Sequence, residues 1–465
     1  MKAFIVAALF ALFIAGSAIV GGSPNSKPSQ SSSVVSYNAR TDFALVPLPT
    51  TIPSMGAATG AGDAATDPDF HTRIYRLTDI NTLPGARFPA QQVWQMNCGG
   101  WADWRVSNTD STKIFICHNG GAIFELPFDP TTGKPGHASQ IAGVTFPEWS
   151  KTEKDVAFAT ALSGEPEIVR LDFSGSSPKI STVVNLAKVP NCAGKDFAGG
   201  LKWREFSAAW DDSTFAVAAT KGIQDTAHMI YVWNAKTGCQ AYDTQAGTVN
   251  GAPVTGASDK FLIHAIKLSG DGKVVLIAPI TTIVRHFWRV GTTEVDTADP
   301  TMNYGHYAMG YAKVLNAMGR TSDRKKWCKL GIALRSLTAL TSPAFLLTSE
   351  QCADVVPQGD DHLSWNNDDT SDNQPFATST VVNPFGAPIT APWQDEILTF
   401  TQDGTVHREA HTFSSGNARF FTCQNAIGSI SQDGKWFFYT SDWEGTLGTN
   451  NAGEKRCDDF AVALH

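Results

Sequence analysis

Residues 426–442 read AIGSISQDGKWFFYTSD. Two short apolar runs flank Gln432-Asp-Gly-Lys435, and Asp-Gly supplies the positive-φ residue that a tight hairpin needs. Residues 268–278, LSGDGKVVLIA, repeat the unit. Looser copies begin at Val106 (VSNTDSTKIFI), Trp149 (WSKTEKDVAF) and Trp210 (WDDSTFAV), and shortened ones at Leu315 (LNAMG) and Trp365 (WNNDD). Aligned on the first polar turn residue, they fall at Ser107, Ser150, Asp211, Ser269, Asn316, Asn366 and Ser431, in steps of 43, 61, 58, 47, 50 and 65 residues.

Seven strand–turn–strand units at such steps, each followed by further strand-like runs, mark a repeat architecture. Residues 67–465 give 57 residues per unit, against about 40–45 for a four-stranded blade, so each blade carries extra loop. The last unit offers three strands, ending in Asp459-Phe-Ala-Val-Ala-Leu-His465. The orphan run Arg73-Ile-Tyr-Arg-Leu-Thr-Asp79 alternates like the missing fourth. Pairing the two ends would remove exposed edges. The spacing thus predicts an all-β fold: a single seven-bladed β-propeller closed by its N- and C-terminal strands, with six or eight blades as the alternatives.

Upstream of residue 67 the pattern differs. Met1-Lys2 followed by AFIVAALFALFIAGSAIV (residues 3–20) reads as a signal peptide cleaved after Ala18, the alternative being a retained anchor. Residues 19–66, rich in Ser, Pro and Gly, read as a linker and N-terminal extension. Export would place the chain outside the cytoplasm, secreted, periplasmic or on the cell surface. There the eight cysteines become disulfide candidates rather than metal ligands, since no C-x-x-C occurs. Eight cysteines allow 105 full pairings; nearest-neighbour pairing would join Cys98–Cys117, Cys192–Cys239, Cys328–Cys352 and Cys423–Cys457. Only 17% of residues are charged, and the formal net charge of −8 excludes the basic field of a nucleic-acid binder. No later stretch is long and apolar enough to span a membrane, and a monomer is expected.

The Ser431-Gln-Asp-Gly-Lys435 and Ser269-Gly-Asp-Gly-Lys273 turns resemble those of TolB-like and WD-repeat-like propellers, a resemblance that implies fold rather than activity. The chain has no G-x-S-x-G elbow, H-E-x-x-H, P-loop or C-x-x-C-H. Its histidines are more informative. His264, His306 and His362 fall near the starts of innermost strands in consecutive blades, where propeller ligands approach. His411 closes the run VHREAH, which as a strand would put His407, Glu409 and His411 on one face. Converging, His306, His362 and His411 could bind a divalent metal or serve as acid/base groups, with His264 beside them as a ligand-binding residue. The alternative is that each caps a blade end.

Residues 360–369 (DDHLSWNNDD) resemble the His and Trp placement of the propeller oligogalacturonate lyases. That resemblance implies His362 as a ligand of a metal that neutralises a uronate carboxylate, while a basic residue takes the neighbouring proton; no residue here matches that base. Arg324, Lys325 and Lys326, in the basic run 320–329, could steer an acidic polymer or form a solvated loop. Trp94, Trp101 and Trp104 could stack on sugar rings, whereas Trp149, Trp210 and Trp365 precede the turns as core. The acidic run 366–373 lacks the spacing of an EF-hand. The expected function is binding of a glycan or peptide on the central face without catalysis. The alternative is a metal-assisted lyase or hydrolase of an acidic glycan, with one divalent ion as its cofactor.

Overall fold

The computed structural model describes residues 39–464 apart from 56–59, 83–93, 96–103, 119–121, 163–165, 193–200, 222–226, 258, 281–283, 299–305, 317–332, 347–358, 374–375, 383–387, 391, 417–425 and 450–454. The expected signal peptide lies outside these residues, as do Trp101, Arg324, Lys325, Lys326, Cys98, Cys328, Cys352 and Cys423. The described residues belong to one compact unit, Val34–His465. Among them the elements are β-strands and a single 3-10 turn, Leu186–Lys188.

The strands group into seven sheets that follow the chain in order, antiparallel except where Thr255–Gly256 pairs in parallel with Glu294–Thr297. Their inner strands are Val144–Trp149, Leu201–Ala208, Ile263–Leu268, Tyr307–Met309, Gly359–Ser364 and Gly428–Ile430 for the second to seventh sheets. Those six sheets are regular. In the first, the inner edge is reduced to Trp94–Gln95 and an isolated bridge between Ser107 and Ile114.

Apolar residues on both faces of each sheet build a core between every pair of neighbours. Phe115, Trp149 and Ala157 join the first sheet to the second; Phe158, Phe206 and Tyr231 join the second to the third. The series continues through Trp288, Phe287 and Met309, Trp365 and Phe400 and Phe460 to Phe438 and Phe124, which join the seventh sheet to the first. A ring of sheets with no free face results. Trp149 and Trp365 are fully buried in these cores and Trp210 is nearly so, as their place before the turns predicts.

The Asp-Gly turns explain the repeat. Ser431 Oγ donates to Asp433 Oδ1 at 2.6 Å and accepts from the amides of Lys435 and Trp436. Ser269 and Asp271 do the same in the fourth sheet. Gly272 and Gly434 take the φ near +70° that the turn requires, a position filled by Asp212 in a looser copy. The turn carboxylates also reach sideways. Asp433 accepts from Ser111 of the first sheet and Asp212 from Ser150 of the second, while Asp372 accepts the amides of Tyr311 and Ala312.

Closure takes the predicted form. The strand Arg73–Arg76 pairs with Asp458–Ala463, register Ile74 to Val462, so one N-terminal strand completes the sheet of the last three C-terminal ones. The extension upstream departs from its loose composition. Ala64–Thr66 adds a further strand to this sheet, Met55 is fully buried, and Pro53 O accepts the Trp443 indole N–H. Residues 40–46 lie along the sixth sheet, where Phe43 packs on Trp393 and Arg40 bridges to Arg408. Small residues hid the strand, because alternation carries no signal in Ala-Ala-Thr.

Cys192 and Cys239 form the expected disulfide. Cys117 and Cys457 are disulfide-bonded too. The Cys192–Cys239 bond closes a loop of sequence separation 47. Loop-closure entropy of that size corresponds to about 4 kcal/mol in the unfolded-state view. Replacing both cysteines by Ser should lower stability by about 2–4 kcal/mol, read from the urea midpoint, and an unchanged midpoint would show that this link constrains nothing.

Candidate functional site

All six regular inner strands run the same way, so their starts share one end of the ring and the Asp-Gly turns the other. The turn end is closed by polar side chains. Lys151 reaches from the second sheet to the carbonyls of Asn366 and Asn367 beyond the sixth, with its ammonium 4.0 Å above the Trp210 ring. Gln432 bonds Ser107 and Ser150, and Asn366 bonds Trp104 O and Ser429. Deeper inside, Glu148 accepts Arg105 Nε and Nη2 at 3.1 and 2.7 Å, the Ala208 amide at 3.0 Å and Lys267 Nζ at 2.8 Å. Burial raises its pKa, but Lys267 and Arg105 outweigh that and hold it below the usual carboxylate range. These links tie the first, second, third and fourth sheets together, and the strand-start end, called the mouth below, lies opposite the turns.

At that mouth His306 and His362 stack with centroids 4.5 Å apart and planes at 21°. They come from the fifth and sixth sheets, as the start of one inner strand meets the body of the next. Tyr307 follows His306, and Arg285, from the loop before His286–Arg289, lies over its ring at 5.8 Å. Burial first, and then the nearby carboxylate of Glu205, push the phenol well above its usual pKa against the opposing pull of Arg285. Burial also lowers the Arg285 guanidinium. His264 sits half-buried near the start of the fourth inner strand. The structure therefore brings two of the three predicted metal histidines together.

The third is elsewhere. His411 lies on Val406–His411, the outer strand of the sixth sheet, while His362 lies on the inner one. The register runs His362–Ser379–Ile397–Ala410 across the sheet. Three strand spacings make about 14 Å, so His411 shares no ion with His362. The predicted common face of His407, Glu409 and His411 fails as well, because a register shift between Ile397 and Leu398 skips Glu409. Spacing along the chain could not separate an inner from an outer strand.

His411 instead meets the N-terminal extension. Its Nδ1 is 3.0 Å from Asp67 Oδ2, which also accepts the His411 amide at 2.8 Å. Asp67 Oδ1 accepts the amides of Asp69 and Phe70. Burial lowers the imidazole pKa, yet the Asp67 carboxylate prevails and raises it. Asp67, Asp69 and His411 have donor atoms within 4.8 Å of one another, a possible metal-binding triad. Both Asp67 oxygens are already taken by N–H donors, and that suits a buried ion pair better than a cation. Trp104 is half-buried and packs against Phe115 at 6.2 Å between two cores.

Sequence reasoning missed Arg285, Tyr307 and the Arg105–Glu148–Lys267 cluster. Arg285 had one signal, a lone cation in the apolar run ITTIVRHFW at 280–288. Glu148 and Lys267 likewise interrupt apolar strands, which buried charges do only when paired.

No protein-family model matches the sequence, and no curated protein matches it. Solved structures do. A manganese-bound oligogalacturonate lyase aligns with a TM-score of 0.51 at 13% identity, over 92% of this chain and 99% of that one. The chain is a β-propeller. The oligogalacturonate lyase of Vibrio parahaemolyticus aligns at 0.48 and 10% identity, over 87% and 96%. The Pan2 WD40 domain of Neurospora crassa aligns at 0.41 and 9%, over 81% and 97%. At such identities the likeness concerns the propeller's fold and not its chemistry.

Proposed function

We propose that this propeller binds an acidic glycan at the mouth formed by His264, Arg285, His306, Tyr307 and His362, without turning it over. The observation that carries the reading is the stacked His306–His362 pair beside Arg285, at the end of the ring opposite the Lys151 closure. Imidazoles and a guanidinium donate to carboxylates, and flat rings suit sugar faces. An exported monomer fits the Cys192–Cys239 disulfide, which belongs to an oxidising compartment. Among the described residues no helix is long and apolar enough to cross a membrane. Retention on immobilised polygalacturonate tests the reading. Arg285→Gln and the double variant His306→Ala/His362→Ala should each weaken binding at least about tenfold, the loss of one charge-assisted bond, with circular dichroism unchanged. Absence of binding by the unaltered protein to acidic glycans of any linkage ends it.

A second reading is a metal-assisted lyase, the activity of the manganese-bound neighbour of like fold. His306 and His362 would supply two nitrogens, and a divalent ion there would neutralise a uronate carboxylate. Such ions take four or more donors. The two stacked imidazoles would supply two of those donors. Metal content decides. On this reading the purified protein carries about one divalent ion per chain, lost in His306→Ala/His362→Ala and kept in Asp67→Asn. Metal-free protein removes the lyase reading and leaves glycan binding standing.

A further inference from the structure

His286 opens the third strand of the fourth sheet, at the mouth end of the ring, and is 0% exposed. Both of its ring nitrogens are buried without a hydrogen-bond partner. Its cover is Phe261, stacked with centroids 4.3 Å apart and planes at 30°. Phe261 lies in the segment that leads into Ile263–Leu268. Thr244 Oγ1 donates to Phe261 O at 2.7 Å, and the Ile263 amide donates to Ala227 O at 2.7 Å. Two residues before Phe261, Asp259 brings Oδ2 to 3.9 Å from His286 Nε2, beyond hydrogen-bonding distance, with its side chain 62% exposed.

Burial is the largest influence on the imidazole and disfavours its charged form. Asp259 and the nearby Val284 carbonyl oppose it, Arg285 adds to it, and the pKa is lowered. The third sheet contributes the Tyr242 phenol, buried without a partner, whose pKa is raised by burial, then by Asp243 and Asp259. The neighbours across the fourth sheet, Ile277 and Thr297, carry no charge. A neutral ring suits this dry place. A proton would add a charge and a further N–H where the one acting carboxylate, Asp259, stands largely in water.

We propose that His286 is an acid-sensitive clasp: neutral, it holds the segment 259–262 against the fourth sheet, and protonated, it parts from Phe261 and frees that segment. The clasp is one residue from Arg285 yet independent of the glycan reading, since it stands on His286, Phe261 and Asp259. The sign follows from linkage. Once freed, the imidazole regains a value near about 6.5, so the open form binds the proton more readily and gains on the closed form as pH falls below that value.

Amide hydrogen exchange of the full protein from pH 7 to pH 5, corrected for intrinsic rates, tests this at Phe261 and Ile263. Their opening constant should rise by up to about tenfold per pH unit, the limit for one linked proton, while Leu276 in the second strand of the same sheet stays closed. His286→Phe keeps a flat ring that cannot take the proton, so its opening constant should be level with pH. Asp259→Asn removes the carboxylate that favours the charged form and should move the rise to lower pH. Should His286→Phe not fold, nuclear magnetic resonance of isotope-labelled histidine in the unaltered protein decides. His286 should be neutral at pH 7 and should titrate below the ordinary value, losing its contact with Phe261 as it does. An imidazolium at pH 7, or opening at Phe261 and Ile263 that is level or falls in acid, overturns the proposal.

Discussion

Glu148→Gln should destabilise the protein by about 3–5 kcal/mol, because it removes a charge that Arg105 and Lys267 share in a buried site. The amide keeps the shape and can still accept hydrogen bonds, so the loss reports charge rather than volume. The effect carries a pH signature. Glu148 is held below its ordinary value in the folded protein, and an unfolded Glu titrates near about 4.3. Its contribution is therefore complete above that pH and disappears as pH falls through the lower folded value. Asp458, Asp459 and Glu396 are raised by burial and carry the opposite sign. They are common to both proteins and cancel in the difference. Urea unfolding of the two proteins from neutral pH to pH 3 measures it; a gap that stays constant or widens in acid refutes the assignment.

The second large effect is expected at the closing seam. Arg76 donates from Nε to Asp458 Oδ2 at 3.0 Å, bonds the same oxygen through Nη2, and gives further bonds to Thr78 O and Met55 O at 3.1 Å. Arg456 takes the other oxygen at 2.7 Å. Arg76→Met keeps most of the side-chain volume but leaves Asp458 with one cation and two carbonyls without donors. A loss of about 3–5 kcal/mol should follow, with Arg76→Lys recovering part of it through charge alone. The measurement is the urea midpoint of the three proteins. A midpoint for Arg76→Met within about 0.5 kcal/mol of the parent, the range of ordinary surface changes, would mean that the seam is held by its apolar core of Phe460, Tyr439 and Ile74 alone.

Much of the ring was legible because its information is local. Each turn announces itself by Asp-Gly or a polar stand-in, and the Trp before the turn fills the core between sheets. Even closure could be read, since Arg73-Ile-Tyr-Arg alternates and the last unit lacks a strand. The stacked pair was legible in part: His306 sits just before an inner strand, as its spacing predicts, whereas His362 lies in the body of the next. His411 was misplaced for a physical reason: strands one and four of a sheet share the same alternation, and depth from the axis leaves no mark on it. Arg105, Glu148 and Lys267 were invisible as a set. Their meeting depends on four sheets converging on one axis, with 119 residues separating Lys267 from Glu148.

The seam also orders events in time. Arg76 and Asp458 are separated by 382 residues, so the strand that locks the ring is made that many residues before its partner. Six sheets can assemble on a nascent chain as it lengthens, each from neighbouring sequence, while Arg73–Arg76 waits as an unmatched edge. Contacts of such span are slow to form, and at about 5–20 residues per second the wait lasts at least some 20 seconds. During that interval the incomplete arc exposes two apolar flanks, those of the first and sixth sheets. That interval is when the chain is most open to aggregation, or to a chaperone that covers an edge.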